Sequence, residues 1–451
     1  MADQRTEQHH GFRRSREAGP GIYRELELGK GSEDTGKDRR SGAQEGRSGV
    51  RESEKSVCGG SAGYRLFCDT EKIRIRWCKS QMRIAMFGQK RLSREGGVEI
   101  VAKELCTRMA KSGNDVTCYN RSGHHIGGAE YDESEIRYEG IRQISVPTIE
   151  KKGLAAVSSS FFAAIYSAFG KYDVVHIHAE GPAFFCWIPK MLGKKVIVTV
   201  HGIDWQREKW KSGFGAKYIC IGEKNAVRYA DEIIVLSRRV QEYFRDSYGR
   251  KTHFIPNGVN KPEIREADLI TRKFGLVKDS YILFLGRLVP EKGLRYLIKA
   301  FKEVETDKKL VIAGGSSDTD SFLQELHELA IGDDRITFTG FVQGQALAEL
   351  YSNAYIYVLP SDLEGMPLSL LEAMSYGNCC LVSDIPECAE VVEDKALIFK
   401  KADIAELRKK LQDACDFPKK VMEMKKQAVG FICEKYNWDD VVEETMKLYK
   451  K

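Results

Sequence analysis

The stretch SDLEGMPLSLLEAMSYG, residues 361–377, holds two acids, Glu364 and Glu372, eight positions apart. A carboxylate accepts hydrogen bonds and donates none, so two that face one cleft suit a ligand rich in hydroxyls. Each such charge-assisted bond contributes roughly 1.5–3 kcal/mol. Pro367 fits the first turn of a helix, where its missing N–H costs nothing. Glu364 is then left in a loop, while Glu372 sits inside the helix between Leu371 and Ala373. The bland alternative is a helix N-terminal acid and one solvated glutamate.

A second group is cationic. After the apolar run YILFLG comes GRLVPEKGLRYLIKAF, with Arg287 just past the run and Lys292 five residues on, beside Gly293 at a helix start. Two cations and a helix N-terminus at a strand's carboxyl end form a diphosphate site. Elsewhere such a pair would be two exposed basic residues. In GQKRLSREGGVEIV, Gly96 and Gly97 allow close backbone approach, and the N–H groups of the helix they open would face an anion. VTVHGIDWQREKW sets His201 directly after another apolar run, where a side chain reaches ligand rather than core.

These residues need strands to end beside them. From Met82, the runs 83–88, 115–119, 173–178, 196–200 and 232–237 read as strands separated by helical periods, as in VEIVAKELCTRMAK with Val101, Leu105 and Met109 on one face. After HFIPNGVNKP the pattern restarts with 281–286, 309–315, 335–340, 355–360 and 379–383. Nearly continuous apolar strands suit parallel sheets covered on both faces. The reading is two doubly wound α/β halves joined near 258–265, with the cleft between them as the site.

Bulk composition narrows the class. A chain of 451 residues with 42% hydrophobic and 30% charged content can form two globular domains and more. The net charge of +6 is too small to indicate a nucleic-acid partner. Most of it lies in residues 1–81, with 17 basic and 13 acidic residues, rich in Gly and Ser and without sustained period. That stretch is expected to be disordered, or to precede the native start at Met82, the competing reading being a regulatory or targeting extension. Twelve cysteines without CxxC pairs suggest a reducing, cytoplasmic compartment. No apolar run is long enough to cross a bilayer. The nearest, GLAAVSSSFFAAIYSAFG at 153–170, is expected to form a buried helix, with a peripheral membrane contact as the alternative because of Lys151, Lys152 and Lys171.

Together these residues resemble family 4 of the GT-B glycosyltransferases, retaining enzymes that use nucleotide-sugar donors. The resemblance spans about residues 82–450. Its most specific element is E-x7-E, matched by Glu364 and Glu372; GRLVPEKG, IPNGV, GGVE and the strand-terminal HG match as well. It implies an α/β GT-B fold of two Rossmann-like domains facing a central cleft. Residues 82–262 would form the acceptor side and 263–430 the donor side, with a last helix at 431–451 packing back on the first domain.

The resemblance also implies roles. Glu364 would hold the transferred sugar's hydroxyls with the backbone of Gly365 and Met366, and with Pro367 and Leu368 alongside. Glu372 would bind the ribose of the nucleotide. Arg287 and Lys292 would neutralise the diphosphate and stabilise its charge as it leaves. Gly97, with Gly96, would line the diphosphate from the first domain. His201 would lie near sugar and acceptor, and Gly340, Phe341 and Val342 would border the base. No cofactor or metal is implied. Asp318-Thr319-Asp320 spells the D-x-D of metal-dependent transferases of another fold, but its place before SFLQELHEL reads as helix capping.

HGIDWQREKW and NAVRYADEIIVLS are further similar to bacterial enzymes of exopolysaccharide, O-antigen and capsule synthesis. That similarity implies a saccharide or lipid-linked acceptor and a place in the cytoplasm, at the inner face of the membrane. Three other readings compete. A sugar-nucleotide epimerase would share fold and donor, and E-x7-E with GRLVPEKG argues against it. A sucrose- or glycogen-synthase-like transferase fits the first half less well. A silent saccharide-binding subunit would not keep every cleft residue.

Overall fold

The computed structural model describes residues 81–123, 136–151, 153–206, 213–315 and 320–451, within one compact unit, Trp77–Lys451. The expectation for residues 1–81 therefore lies outside the described residues but for Gln81, as does Asp318-Thr319 of the DTD stretch.

The first sheet holds β1 (Arg83–Phe87), β2 (Asp115–Arg121), β3 (Arg137–Tyr138), β4 (Ile141–Val146), β5 (Val174–His178), β6 (Lys195–Val200), β7 (Glu232–Val235) and β8 (His253–Phe254). Their order is β3-β4-β2-β1-β5-β6-β7-β8, parallel except for β3 against β4. The second sheet holds β9 (Tyr281–Leu285), β10 (Lys309–Ala313), β11 (Ile336–Gly340), β12 (Ile356–Leu359), β13 (Cys379–Ser383) and β14 (Leu397–Phe399). Its order is β11-β10-β9-β12-β13-β14, all parallel.

Helices cover both sheets. Those of the first half are α1 (Gly97–Lys111), α2 (Leu154–Phe169), α3 (Glu180–Ala183), α4 (Trp187–Met191), α5 (Phe214–Tyr229) and α6 (Arg238–Tyr248). In the second half follow α7 (Leu269–Phe274), α8 (Leu294–Lys302), α9 (Asp320–Ala330), α10 (Gly344–Asn353) and α11 (Leu368–Ser375). The chain closes with α12 (Pro386–Val392), α13 (Ile404–Asp416), α14 (Pro418–Lys435) and α15 (Trp438–Lys450).

Local sequence explains these elements. Along β1, Ala85 and Phe87 enter one core and Ile84 and Met86 the other, the alternation of a strand covered on both faces. In α8, Leu294, Leu297, Ile298 and Phe301 recur at i, i+3, i+4 and i+7 and are all buried. The Asp403 carboxylate accepts a hydrogen bond from the backbone N–H of Glu406 and so starts α13.

Two expectations need correction. The boundary at 430/431 falls inside α14, and the chain leaves the second sheet at Tyr436–Asn437 instead. There the backbone N–H of Val259 donates to Tyr436 O at 2.8 Å, so the two crossings between the sheets are hydrogen-bonded to each other. The helix that then packs on the first sheet is α15, which sends Trp438, Val441, Val442, Leu448 and Tyr449 into the core containing Ile84 and Met86.

Helix α2, expected to be buried, is buried on one side only. Its small residues Ser159, Ser160, Ala163, Ala164, Ser167 and Ala168 face the protein, while Leu154, Phe161, Tyr166 and Phe169 face outward. Small side chains let the helix approach the sheet closely, and the inward hydroxyls are satisfied within the helix. Ser159 Oγ donates to Ala155 O at 2.7 Å, and Ser160 Oγ to Ala156 O at 2.6 Å.

Both sheets reverse direction at one place. After β2, β3 and β4 the chain returns to the other side of β1 with β5, and after β10 and β11 it returns beside β9 with β12. The loops beyond β1 and β5, and beyond β9 and β12, thus flank crevices suited to ligands.

Candidate functional site

The loops after β9 and β12 are built against each other. Gly293, at the start of α8, has φ +69°, and a Cβ there would lie 1.9 Å from Pro360 O. The backbone N–H of Asp362 donates to Glu291 O at 2.8 Å. This juxtaposition brings Lys292 to Glu364: Nζ lies 2.5 Å from Oε1, and both side chains are largely buried. Ser361 Oγ donates to the same carboxylate oxygen at 2.6 Å. Arg287 stands exposed just beyond β9.

The next residue, Gly365, meets the first domain. A Cβ on it would lie 1.6 Å from the carbonyl oxygen of His201, so only glycine permits this approach. Met366 is held by the crossing segment, its carbonyl accepting from Asn257 Nδ2 at 3.4 Å and its Sδ from Asn257 N at 3.0 Å. Pro367 precedes α11 as its N-cap residue and Leu368 begins the helix, one position later than the spacing suggests. Leu368 reaches across the cleft, its Cδ1 being 3.7 Å from where a Gly97 Cβ would stand at the start of α1.

Glu372 faces a different surrounding from Glu364. It lines an interdomain cavity of about 220 Å³ together with Arg94, Glu104, Leu347, Tyr351 and Trp438, and neither Glu364 nor Lys292 lines it. Arg94 Nη2 lies 3.1 Å from Glu372 Oε1, and the Tyr351 hydroxyl donates to Oε2 at 3.3 Å. Burial pushes the Glu372 carboxyl above its ordinary range, against the opposing pull of Arg94. Gly340 ends β11 with φ +69°, and Phe341 and Val342 are half-buried between it and α10, whose Gly344 and Leu347 line the same cavity.

On the first-domain side, Gly96 caps α1 in extended conformation, and Glu99 of the first turn folds back over it. The Glu99 carboxylate accepts from the backbone N–H of Lys90 at 2.9 Å. The helix start thus already has one carboxylate of its own. His201 follows β6, and its Nε2 is hydrogen-bonded to His178 Nδ1 at 3.0 Å. His178 is fully buried at the end of β5 and held well below the usual histidine range, by burial first and then by His176 and His201. A neutral His178 can fix the ring orientation of His201.

Three participants were not singled out by sequence. Arg94 stands two residues before Gly96 in the same strand-end loop, His178 ends a strand as His201 follows one, and Asn257 lies within IPNGV. Position at a strand end was the available signal for the first two.

Residues 95–261 match the family model described as Glycosyltransferase Family 4, and residues 267–430 the model described as Glycosyl transferases group 1. The chain belongs to family 4 of the GT-B glycosyltransferases. An uncharacterized glycosyltransferase of Methanocaldococcus jannaschii is 26% identical to this family member over 382 residues, covering 79% of this chain and 94% of its own. The UDP-Gal:alpha-D-GlcNAc-diphosphoundecaprenol alpha-1,3-galactosyltransferase of Escherichia coli is 27% identical over 270 residues, 55% of this chain and 67% of its own. Among solved structures, sucrose-phosphate synthase from Thermosynechococcus elongatus superposes with TM-score 0.68 at 21% identity, over 82% of this chain and 98% of its own. That likeness is one of fold. The glycosyltransferase therefore carries its E-x7-E acids on two sides of α11's start, one paired with Lys292 and the other with Arg94.

Proposed function

We propose that this glycosyltransferase is a retaining enzyme, moving a hexose from a nucleotide-diphosphate sugar to a saccharide or lipid-linked acceptor in cell-surface polysaccharide synthesis. The observation that carries the reading is the buried Lys292–Glu364 pair at the second sheet's reversal, with Gly365 against His201. The UDP-galactose donor and lipid-diphosphate acceptor of the Escherichia coli relative support the substrate classes. The second domain takes the donor and the first the acceptor.

In this reading the donor diphosphate draws Lys292 and Arg287, and Glu364 exchanges its ammonium partner for sugar hydroxyls. The bond from the anomeric carbon to the diphosphate oxygen breaks, and its electron pair goes to that oxygen. The two cations stabilise the growing charge. The acceptor hydroxyl forms the new bond on the same face, and its proton passes to the departing diphosphate. Glu372 accepts from the ribose, with Gly340, Phe341 and Val342 beside the base. No metal takes part, so a chelator should leave the rate unchanged. The enzyme works in the cytoplasm at the membrane's inner face.

A thermal-shift panel of nucleoside diphosphates and their sugars tests the donor, because the native one stabilises the fold by mass action. NMR of the product's anomeric proton tests retention. An inverted anomer, or a nucleotide sugar epimerised without acceptor, would overturn the proposal.

A further inference from the structure

Three helices of the first domain share an unusual surface. On α2 the outward side chains are Leu154, Phe161, Tyr166 and Phe169, the last 78% exposed, and none of its sixteen residues is charged. Helix α4 packs against both α2 and α5 and adds Trp187 and Met191, the latter 74% exposed. On α5 the exposed residues Phe214, Lys217, Ile221, Lys224 and Arg228 recur at helical spacing, with Phe214 88% exposed. The only acid in these three helices is Glu223, and it is buried. Lys151 and Lys171 stand exposed at the two ends of α2.

Apolar side chains of this size and number leave water only if something covers them. Their charge pattern says what does. The three helices expose apolar and cationic side chains and no acid of their own, with Glu150 and Asp173 exposed beside the flanking Lys151 and Lys171. Such a face complements a surface that is apolar below and anionic above. We infer that α2, α4 and α5 dock this protein on an anionic lipid bilayer, Phe169, Met191 and Phe214 entering the acyl boundary while Lys217, Lys224 and Arg228 meet the headgroups. The inference deepens, and rests on, the proposal of a lipid-linked acceptor. Among the described residues no helix is long and apolar enough to cross a membrane, and the contact proposed is a peripheral one. The inward serines join the two sides of α2: Ser159 and Ser160 border a small polar recess with Gln89 and Arg121, just beyond β1. A lipid diphosphate lying at the bilayer surface would then present its sugar near the strand ends.

The test is co-sedimentation of the full chain with phosphatidylcholine vesicles, with or without about one-third phosphatidylglycerol. The wild type is expected to bind the anionic vesicles and to release in high salt. The charge reversal Lys217→Glu/Lys224→Glu and the triple variant Phe169→Ser/Met191→Ser/Phe214→Ser should each weaken binding at least about tenfold. Both variants alter exposed side chains, and their circular dichroism should match wild type. Binding equal to wild type in both would overturn the inference. So would a wild-type dimer, seen by light scattering, that the triple variant converts to monomer. Transfer to a short-chain, water-soluble acceptor reads the active site separately. It should be unchanged in both variants, and its absence from a wild type that still binds vesicles would fail the acceptor proposal while supporting the docking surface.

Discussion

Lys292 and Glu364, 72 positions apart in sequence, form one buried ion pair, Nζ to Oε1 at 2.5 Å. Each holds the other's charge in the absence of substrate, so a donor must replace both halves. Removing one half leaves the other buried and uncompensated. Glu364→Ala is expected to lower kcat at least about a hundredfold, a loss seen on removing one group that acts in the transition state. Affinity for the nucleoside diphosphate should hold or improve, since Lys292 is released. Lys292→Ala should instead weaken that affinity at least about tenfold. Calorimetric titration of both variants, beside steady-state rates, checks the contrast.

Arg94 and Glu372 join the two domains across the cavity. Burial raises the Glu372 carboxyl, so its native value lies above its unfolded one. Protonation then favours the folded chain, and at neutral pH the carboxylate is a net cost to stability. Glu372→Gln is expected to raise Tm at pH 7 while weakening donor binding about tenfold or more. Arg94→Ala removes the opposing cation, so donor affinity should decline at a higher pH than in wild type as acid is added. A pH series of nucleotide Kd values would show no such displacement if Arg94 were irrelevant.

Gly365 permits the contact between domains. Gly365→Ala would place a methyl carbon 1.6 Å from His201 O, so the domains must separate. We expect kcat to fall at least about tenfold, because a small misplacement at the reacting centre is costly. Neither domain's core is touched, so Tm should change little. Small-angle scattering should report a more open particle.

The histidines give a pH dependence of stability. Burial, and then His201, pushes His176 down to about 3, and His178 also lies well below its ordinary value. The unfolded chain binds the extra protons, so this stability is full above about 6.5 and is lost as pH falls toward 3. Each histidine contributes a slope of up to about 1.4 kcal/mol per pH unit. Urea unfolding at several pH values should show a shallower slope for His176→Gln. Parallel slopes would count against the assignment.

Much of this was legible in sequence because strands buried on both faces write themselves as apolar runs, and ligands lie beyond their ends. Lys292, His201 and Glu364 stand where that rule puts them. β4 does not show as an apolar run because IRQISV, next to the short antiparallel β3, carries Arg142 and Gln143. The facing of α2 could not be read either. Without a charged residue to mark the wet side, its periodicity has no direction. Arg94 reaches an acid 278 positions away, and no local pattern announces such a pairing.

The placement of α15 has a consequence for biosynthesis. Tyr449, two residues from the last, closes on His176 in the heart of the first domain, its hydroxyl 2.5 Å from Nδ1. A ribosome releases the first domain's strands long before it makes Tyr449. That domain must wait, one flank of its core uncovered, until the final helix emerges. A chain stopped at Asn437 would therefore lose its oldest part, although nothing had been removed from it.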